Sequence, residues 1–149
     1  RRIEIMQFQK TPDGFFVYIE KDERIMENIT QFCITNQIFN AQLSGIGAVK
    51  EIEIGAFDIH RKEYIRKSFH SVMELVSYQG NITIKDDQPF AHAHVTLSDH
   101  EMNTKGGHLF EATVAAVGEF FIRTIPSSVA RKLNRDVGLP CIYMSSNFN

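Results

Sequence analysis

The segment Pro89-Phe-Ala-His-Ala-His-Val-Thr-Leu-Ser-Asp99 alternates between two sets of side chains, and this alternation decides the fold class. In an extended chain, successive side chains point to opposite faces of the sheet. His92 and His94 therefore lie on one face, and the opposite face carries small and aliphatic residues: Ala91, Ala93, Val95 and Leu97. The pattern predicts a strand with one buried face and one face that displays two neighbouring imidazoles.

The same period of two recurs on both sides of this segment. Isoleucines alternate with polar residues at Ile3 and Ile5, at Ile52 and Ile54, and at Ile82 and Ile84. Further strand-like segments, separated by Gly, Asn and Asp turns, cover residues 64–69, 72–79, 89–97 and 109–123. Many strands and few helices predict an α+β fold with a mainly antiparallel sheet.

One helix is predicted from Glu23 to Asn36, with Asp22 as its candidate cap. Apolar residues recur there at helical spacing, and such a helix is expected to lie across the sheet. The later stretch from Pro126 to Pro140 fits either a short helix or two strands around a turn at residues 134–138. The sequence leaves both interpretations open.

Length and composition indicate one domain. The chain has 149 residues, of which 43% are hydrophobic, and this is enough for one buried core and too little for two ordinary domains. We therefore predict a single domain over residues 1–149, with the polar tail at residues 145–149 expected to fray. The formal net charge of −2 lacks the excess of Lys and Arg with which proteins bind nucleic-acid phosphates, so naked DNA is a poor direct partner.

The cysteines and the hydropathy bear on cellular location. Cys33 and Cys141 lie among apolar neighbours without a CxxC spacing, as expected for buried free thiols in a reducing compartment. No apolar run approaches the roughly 20 residues that a membrane helix needs, and no signal-peptide pattern occurs near the start. We expect a cytoplasmic protein without a membrane partner.

A third imidazole, His108, follows two glycines that would let the backbone bring it close to His92 and His94. Three neutral imidazoles and a water suit Zn²⁺ in an open tetrahedral site, or another divalent metal that prefers nitrogen ligands. In the alternative interpretation, His92 and His94 face solvent and His108 is a turn residue bonded to backbone. The spacing by itself does not choose between the two.

Two carboxylates lie near these histidines in sequence. Glu111 is a candidate catalytic acid or base, or a hydrogen-bond partner for an imidazole, and Asp99 could orient an imidazole. Each also fits an ordinary surface or turn carboxylate.

Two further sequences are interpreted as structural. Residues 44–50 look like a glycine-rich phosphate loop but lack the Gly-Lys-Ser/Thr ending and the third glycine of a dinucleotide fingerprint, so we interpret them as a tight strand connection. Arg131, Lys132 and Arg135 form a modest basic cluster without interleaved aromatic residues, which is typical of a solvated face.

Four motifs occur in an order that resembles the PPC (plant and prokaryote conserved) domain family. They are Leu43-Ser-Gly-Ile-Gly-Ala-Val-Lys50, Gly80-Asn81, His92-Ala-His94 and Gly106-Gly-His-Leu-Phe-Glu-Ala-Thr-Val114. The similarity runs from the helix at Glu23 to about Pro140. It implies a major antiparallel sheet with flanking helices, assembly as a homotrimer, and a metal-capable cluster of His92, His94 and His108. The apolar stretch from Leu109 to Ile125 is our candidate for an interface or a central strand.

The resembled family includes plant nuclear proteins that join this domain to an AT-hook, an Arg-Gly-Arg-Pro-centred motif that enters the minor groove. The present sequence contains no such motif. Two hypotheses follow. The first, which we favour, is an oligomeric binding or regulatory domain, without enzyme activity, that engages a protein partner or a DNA-associated complex. The second is a zinc-dependent hydrolase or lyase that acts on a small molecule, with Glu111 as its acid or base.

Overall fold

Nine strands and one helix make up residues 6–144, the part of the chain that this computed structural model describes. In chain order they are β1 (Met6–Thr11), β2 (Gly14–Ile19), α1 (Ile25–Thr35), β3 (Ala41–Asp58), β4 (Glu63–Phe69), β5 (Met73–Lys85), β6 (Gln88–Ser98), β7 (Thr104–Thr124), β8 (Ala130–Asn134) and β9 (Leu139–Tyr143). The predicted alternation at Ile3 and Ile5 and the predicted frayed tail lie outside the described residues. In the described part of the chain, no helix combines the length and the hydropathy that crossing a bilayer requires.

All nine strands belong to one sheet, in which the order is β1-β2-β7-β3-β5-β8-β9. Strand β4 pairs with β3, and β6 pairs with both β5 and β7. The four long strands therefore pair in a cycle, β7-β3-β5-β6 and back to β7. The pairings are antiparallel except for the contact of β5 with β8. The prediction of a mainly antiparallel sheet is confirmed, and β7 lies inside the sheet between β2 and β3.

Helix α1 covers one face of the sheet with an apolar stripe. Its buried residues include Ile25, Ile29, Phe32 and Cys33, which pack in the same core as Val17, Leu43, Tyr78 and Phe120 of the strands. Burial of apolar surface, at about 25 cal/mol per Å², makes this interface stabilising. The predicted helix is confirmed, but the expected flanking helices reduce to this single helix among residues 6–144.

The predicted Asp22 cap is wrong. The residue before the first helical turn is Arg24, and its side chain makes no capping hydrogen bond. Asp22 has a positive φ of 72° and accepts a hydrogen bond from the ammonium group of Lys50 instead. The helix N-terminus is capped from another element, by Glu111 of β7, whose carboxylate accepts the backbone N–H groups of Met26 and Glu27.

Residues 44–50 are part of strand β3, so their interpretation as a tight connection is also wrong. The glycines there allow close packing rather than a turn. A Cβ on Gly45 would lie 2.3 Å from the ring of Phe120, and a Cβ on Gly47 would lie 2.2 Å from the carbonyl oxygen of Val117. The two glycines therefore let a core aromatic ring and a neighbouring backbone approach β3.

The ambiguous stretch from 126 to 140 contains two strands, β8 and β9, and no helix. They pair across a turn in which the side-chain oxygen of Asn134 accepts the N–H groups of Asp136 and Val137. Gly138 closes this turn with a φ of 88°, a conformation that favours glycine. The parallel contact between Ile84 and Ala130 then places the start of β8 beside β5.

Candidate metal centre

The three predicted histidines lie on adjacent strands at one point of the sheet. His92 and His94 project from the same face of β6, as the alternation predicts, and His108 lies in β7 directly opposite His94. The ring centroids are 5.1 Å apart for His92 and His94, 5.2 Å for His92 and His108, and 5.7 Å for His94 and His108. The alternative interpretation of His108 as a turn residue is therefore wrong.

One potential ligand atom from each imidazole lies within 4.8 Å of the other two. Zinc–nitrogen bonds are about 2.0–2.1 Å long, so small rotations of the rings would bring the three nitrogens to one ion. Nδ1 of His108 is buried and has no hydrogen-bond partner among the described residues. Because an orphaned buried nitrogen is costly, this atom fits a site in which an imidazole contacts something that the protein chain does not supply.

Glycines bring the strands of the site together. A Cβ on Gly106 would lie 2.8 Å from the carbonyl oxygen of Val95, and a Cβ on Gly107 would lie 2.7 Å from the carbonyl oxygen of Gly55. Gly55 itself pairs with His108, and a Cβ there would lie 2.7 Å from the ring of Phe110. The two glycines before His108 thus allow β7 to lie close to both neighbouring strands, β6 on one side and β3 on the other.

Aromatic rings hold His108 on its other sides. The Tyr64 ring, from β4, lies 4.8 Å from the His108 ring, and the Phe110 ring lies 4.7 Å from it. The guanidinium of Arg66 stacks 3.7 Å above the centroid of Phe110. These contacts hold the imidazole close to His92 and His94 before any ion binds, so that small rotations complete the site.

Arg131 of β8 reaches into the site, so its interpretation as part of a solvated face is wrong. Its Nη2 lies 3.1 Å from Oδ1 of Asn81 and 3.3 Å from Nδ1 of His92, two residues that pair across β5 and β6. Its Nε donates to the hydroxyl of Thr83 at 2.7 Å. Lys132 and Arg135 of the same cluster are exposed. No local signal distinguishes Arg131 from them, because its role depends on the contact between β8 and β5.

The surroundings of His92 and His108 favour their neutral forms. Burial first, and then the charge of Arg131, lowers the pKa of His92 from 6.5 to about 4. Burial also lowers the pKa of His108, with smaller contributions from His94 and Arg66. Metal ions bind the neutral imidazole, so both side chains are ready to act as ligands at neutral pH without releasing a proton.

The two carboxylates that the sequence drew attention to have structural partners. The oxygens of Glu111 accept the N–H groups of Met26 at 2.8 Å and of Glu27 at 3.1 Å. Asp99 accepts the N–H groups of Glu101 and Asn103 within the turn after β6. Neither carboxylate belongs to the three-histidine group. The catalytic role of Glu111 stays a prediction, and its geometry is that of a helix cap.

A cavity of about 410 Å³ opens beside the histidines. Its lining combines His92, His108, Arg131 and Asn81 with the aromatic rings of Tyr64 and Phe90, and residues 139–142 close it from β9. Within residues 6–144, the cluster of potential ligands contains the three imidazoles and no fourth Cys, Asp or Glu. A metal ion held there would keep a coordination position for a water or another small ligand. A zinc ion in such a position lowers the pKa of its bound water to about 7 and polarises carbonyl groups.

The sequence matches the model of the Plants and Prokaryotes Conserved (PCC) domain over residues 6–126. Among curated proteins, none matches this sequence.

Several solved structures are similar over nearly their whole length. A candidate DNA-binding protein from Bacteroides thetaiotaomicron is 27% identical with a TM-score of 0.91, and the alignment covers 94% of this chain and 98% of that one. A plant- and prokaryote-conserved (PPC) protein from Pyrococcus horikoshii is 30% identical with a TM-score of 0.83, covering 98% and 99%. A metal-containing protein from Archaeoglobus fulgidus is 31% identical with a TM-score of 0.82, covering 95% and 100%.

Proposed function

This chain belongs to the Plants and Prokaryotes Conserved domain family, and on that premise we propose that it is a metal-dependent binding domain. His92, His94 and His108 bind zinc or another divalent metal of similar preference, and the neighbouring cavity admits a small ligand. The observation that carries this proposal is the convergence of three imidazoles, one of which has a buried and unpartnered Nδ1. The relative from Archaeoglobus fulgidus that is described as metal-containing supports it.

Elemental analysis of protein purified without an affinity tag tests this function. We expect about one ion per chain in the wild type, as in other three-histidine sites. The variants His92→Ala, His94→Ala and His108→Ala should each lose the ion, whereas His60→Ala, which removes an exposed imidazole elsewhere, should keep it. A wild type that stays metal-free after zinc is supplied would sink the proposal.

An enzymatic role is the second candidate, because His92 and His108 border a cavity rather than a closed core. A hydrolase or lyase acting on a small molecule would use a metal-bound water at the position left open by the three imidazoles. With Glu111 engaged by helix α1, polar groups of the cavity such as Tyr64, Asn81 and Arg131 would orient a substrate. Hydrolysis screens on zinc-loaded wild type and on His92→Ala test this candidate, and activity that survives the substitution would contradict it.

Self-association as a homotrimer is part of the proposal. The sheet face opposite α1 exposes apolar side chains on four neighbouring strands, and Phe16 and Phe121 stack there with centroids 4.4 Å apart. Ile46 is 54% exposed and Val76 is 49% exposed on the same surface. Patches of this kind mark protein interfaces.

Light scattering should give about three times the 17.1 kDa chain mass. Phe121→Asp should dissociate the assembly and Ile59→Asp, in an exposed turn, should not; a monomeric wild type would contradict a trimer.

We also propose a cytoplasmic protein that reaches DNA-associated complexes through protein contacts. The Bacteroides relative is described as a candidate DNA-binding protein. The present chain has a formal net charge of −2 and no Arg-Gly-Arg-Pro motif. It therefore lacks the excess of positive charge with which proteins bind DNA phosphates directly. Gel-shift assays at low salt should show no retardation of duplex DNA by the purified protein, and tight, salt-sensitive binding would overturn this assignment.

A further inference from the structure

The guanidinium of Arg131 is a half-buried charge without a counterion. Its partners are three neutral acceptors, namely the hydroxyl of Thr83, the side-chain oxygen of Asn81 and the carbonyl oxygen of Pro140. Its Nη2 also lies 3.3 Å from Nδ1 of His92. Among residues 6–144, no carboxylate comes within ion-pair distance of it. A charged side chain that loses part of its hydration is stabilised by an opposite charge nearby. An anion bound at this position would therefore stabilise the guanidinium.

The same guanidinium borders the 410 Å³ cavity and has donor capacity to spare. Nη1 of arginine carries two N–H groups, and its acceptor in the described structure is the Pro140 carbonyl oxygen, at a long 3.4 Å. Thr83 and Asn81 hold the remaining edge of the group, which fixes its plane. A planar, immobilised guanidinium is the side chain best suited to bind a carboxylate.

The rest of the cavity wall is mostly apolar. Phe90, Leu139, Pro140 and Ile142 contribute hydrocarbon surface, and Tyr64 contributes an aromatic ring. Of the lining residues, Arg131 is the one whose ordinary pKa makes it a full cation at neutral pH. A single cation facing an apolar wall matches an anion of one negative charge that carries a hydrocarbon body.

We propose that this cavity binds a small organic monocarboxylate, with its carboxylate on Arg131 and its apolar body against Phe90 and residues 139–142. The assignment deepens the proposed function, because it names the ligand class of the cavity beside the metal centre. It rests on the cavity and on Arg131, both of which are present without the metal. In the metal-free cavity a phosphate monoester is a poorer match, because its greater charge would face one cation and no helix N-terminus or glycine nest in the lining.

Calorimetric titration with benzoate and hexanoate, each against its neutral amide, tests the assignment. The titrations use the full chain, both after dialysis against a chelator and after zinc loading. We expect each carboxylate to saturate a site in both forms, and benzamide and hexanamide to bind at least about tenfold more weakly, since a hydrogen bond to a charged group is involved. Equal binding of acid and amide, or no saturable binding of either carboxylate at millimolar concentrations, would overturn it.

Variants locate the site. Arg131→Gln should weaken benzoate binding at least about tenfold. Arg131→Lys keeps the charge but loses the planar pair of N–H donors, so its loss of benzoate affinity should be intermediate. Arg135→Gln removes the same charge from an exposed turn and should leave binding unchanged. If Arg131→Gln fails to fold, the comparison of acid with amide on the wild type still decides. Carboxylate binding by a wild type that stays metal-free even after zinc is supplied would sustain this inference while refuting the metal function.

Discussion

Replacing Glu111 with alanine is expected to lower the free energy of unfolding by about 2 kcal/mol while leaving the metal content unchanged. The carboxylate accepts the N–H groups of Met26 and Glu27, the first of which is 2.8 Å away. Loss of an N-terminal capping side chain costs about 0.5–2 kcal/mol. Loss of a negative charge beside the positive end of a helix costs about 0.3–1 kcal/mol more. Their sum falls near 2 kcal/mol.

Glu111→Gln keeps one acceptor oxygen and removes the charge, so we expect about half of that effect, near 1 kcal/mol. For a chain of this size, 1 kcal/mol corresponds to about 2–4 °C in Tm. The alanine variant should therefore melt about 4–8 °C below the wild type, and the glutamine variant should lie between them. Urea unfolding followed by far-ultraviolet circular dichroism, together with elemental analysis of the folded variants, measures both quantities.

Glu101→Ala is the matched control, because this exposed turn residue makes no side-chain hydrogen bond or ion pair with any residue between 6 and 144. Its stability should change by no more than about 0.5 kcal/mol. The capping argument fails if Glu111→Ala is as stable as this control. If that variant also loses its metal or a detected activity, Glu111 acts in the site, as its place in the sequence first indicated.

Three further outcomes are expected. The metal-free protein should lose stability as the pH falls from about 6.5 toward 4. Burial and Arg131 lower the pKa of His92 to about 4 in the folded protein, so the unfolded chain takes up the proton first. A urea midpoint that does not change over this pH range would contradict this. Arg131→Gln should raise the pKa of His92 in a proton NMR titration, whereas Arg135→Gln should leave it in place. Gly80→Ala should lower the free energy of unfolding by about 2 kcal/mol or more and weaken metal binding, because its Cβ would lie 2.1 Å from the carbonyl oxygen of His92. If the variant is as stable as the wild type, β6 can shift to accommodate the methyl group.

Local patterns were enough to predict part of the site. A period of two placed His92 and His94 on one face of a strand, because the side-chain directions follow from backbone geometry alone. The helical spacing after Glu23 likewise predicted α1 within two residues of its ends. The two glycines before His108 suggested it as the third imidazole, and the resemblance to the family supported a choice that spacing alone left open.

Partnerships between distant segments were not predictable in this way. Glu111 was recognised as a notable carboxylate, yet its partner is a helix N-terminus 85 residues away, and the local candidate Asp22 turned toward Lys50 instead. Arg131 looked like its exposed neighbours, because nothing near it in sequence reveals that β8 docks beside β5 and brings it to His92 across 39 residues. The glycines of residues 44–50 suggested a turn, whereas the space they leave is filled by Phe120.

The sequence by itself determined several of the strands, the helix and the pair of histidines, since each depends on the side chains of a short segment and on the fixed periodicity of its backbone. The tertiary structure decided which strands pair and in what register. That choice placed His108 opposite His94, left Nδ1 of His108 without a partner, and set Arg131 at the mouth of a cavity. The physical reason is that register depends on burying the faces of all strands at once, and this energy belongs to contacts between segments rather than to any one of them.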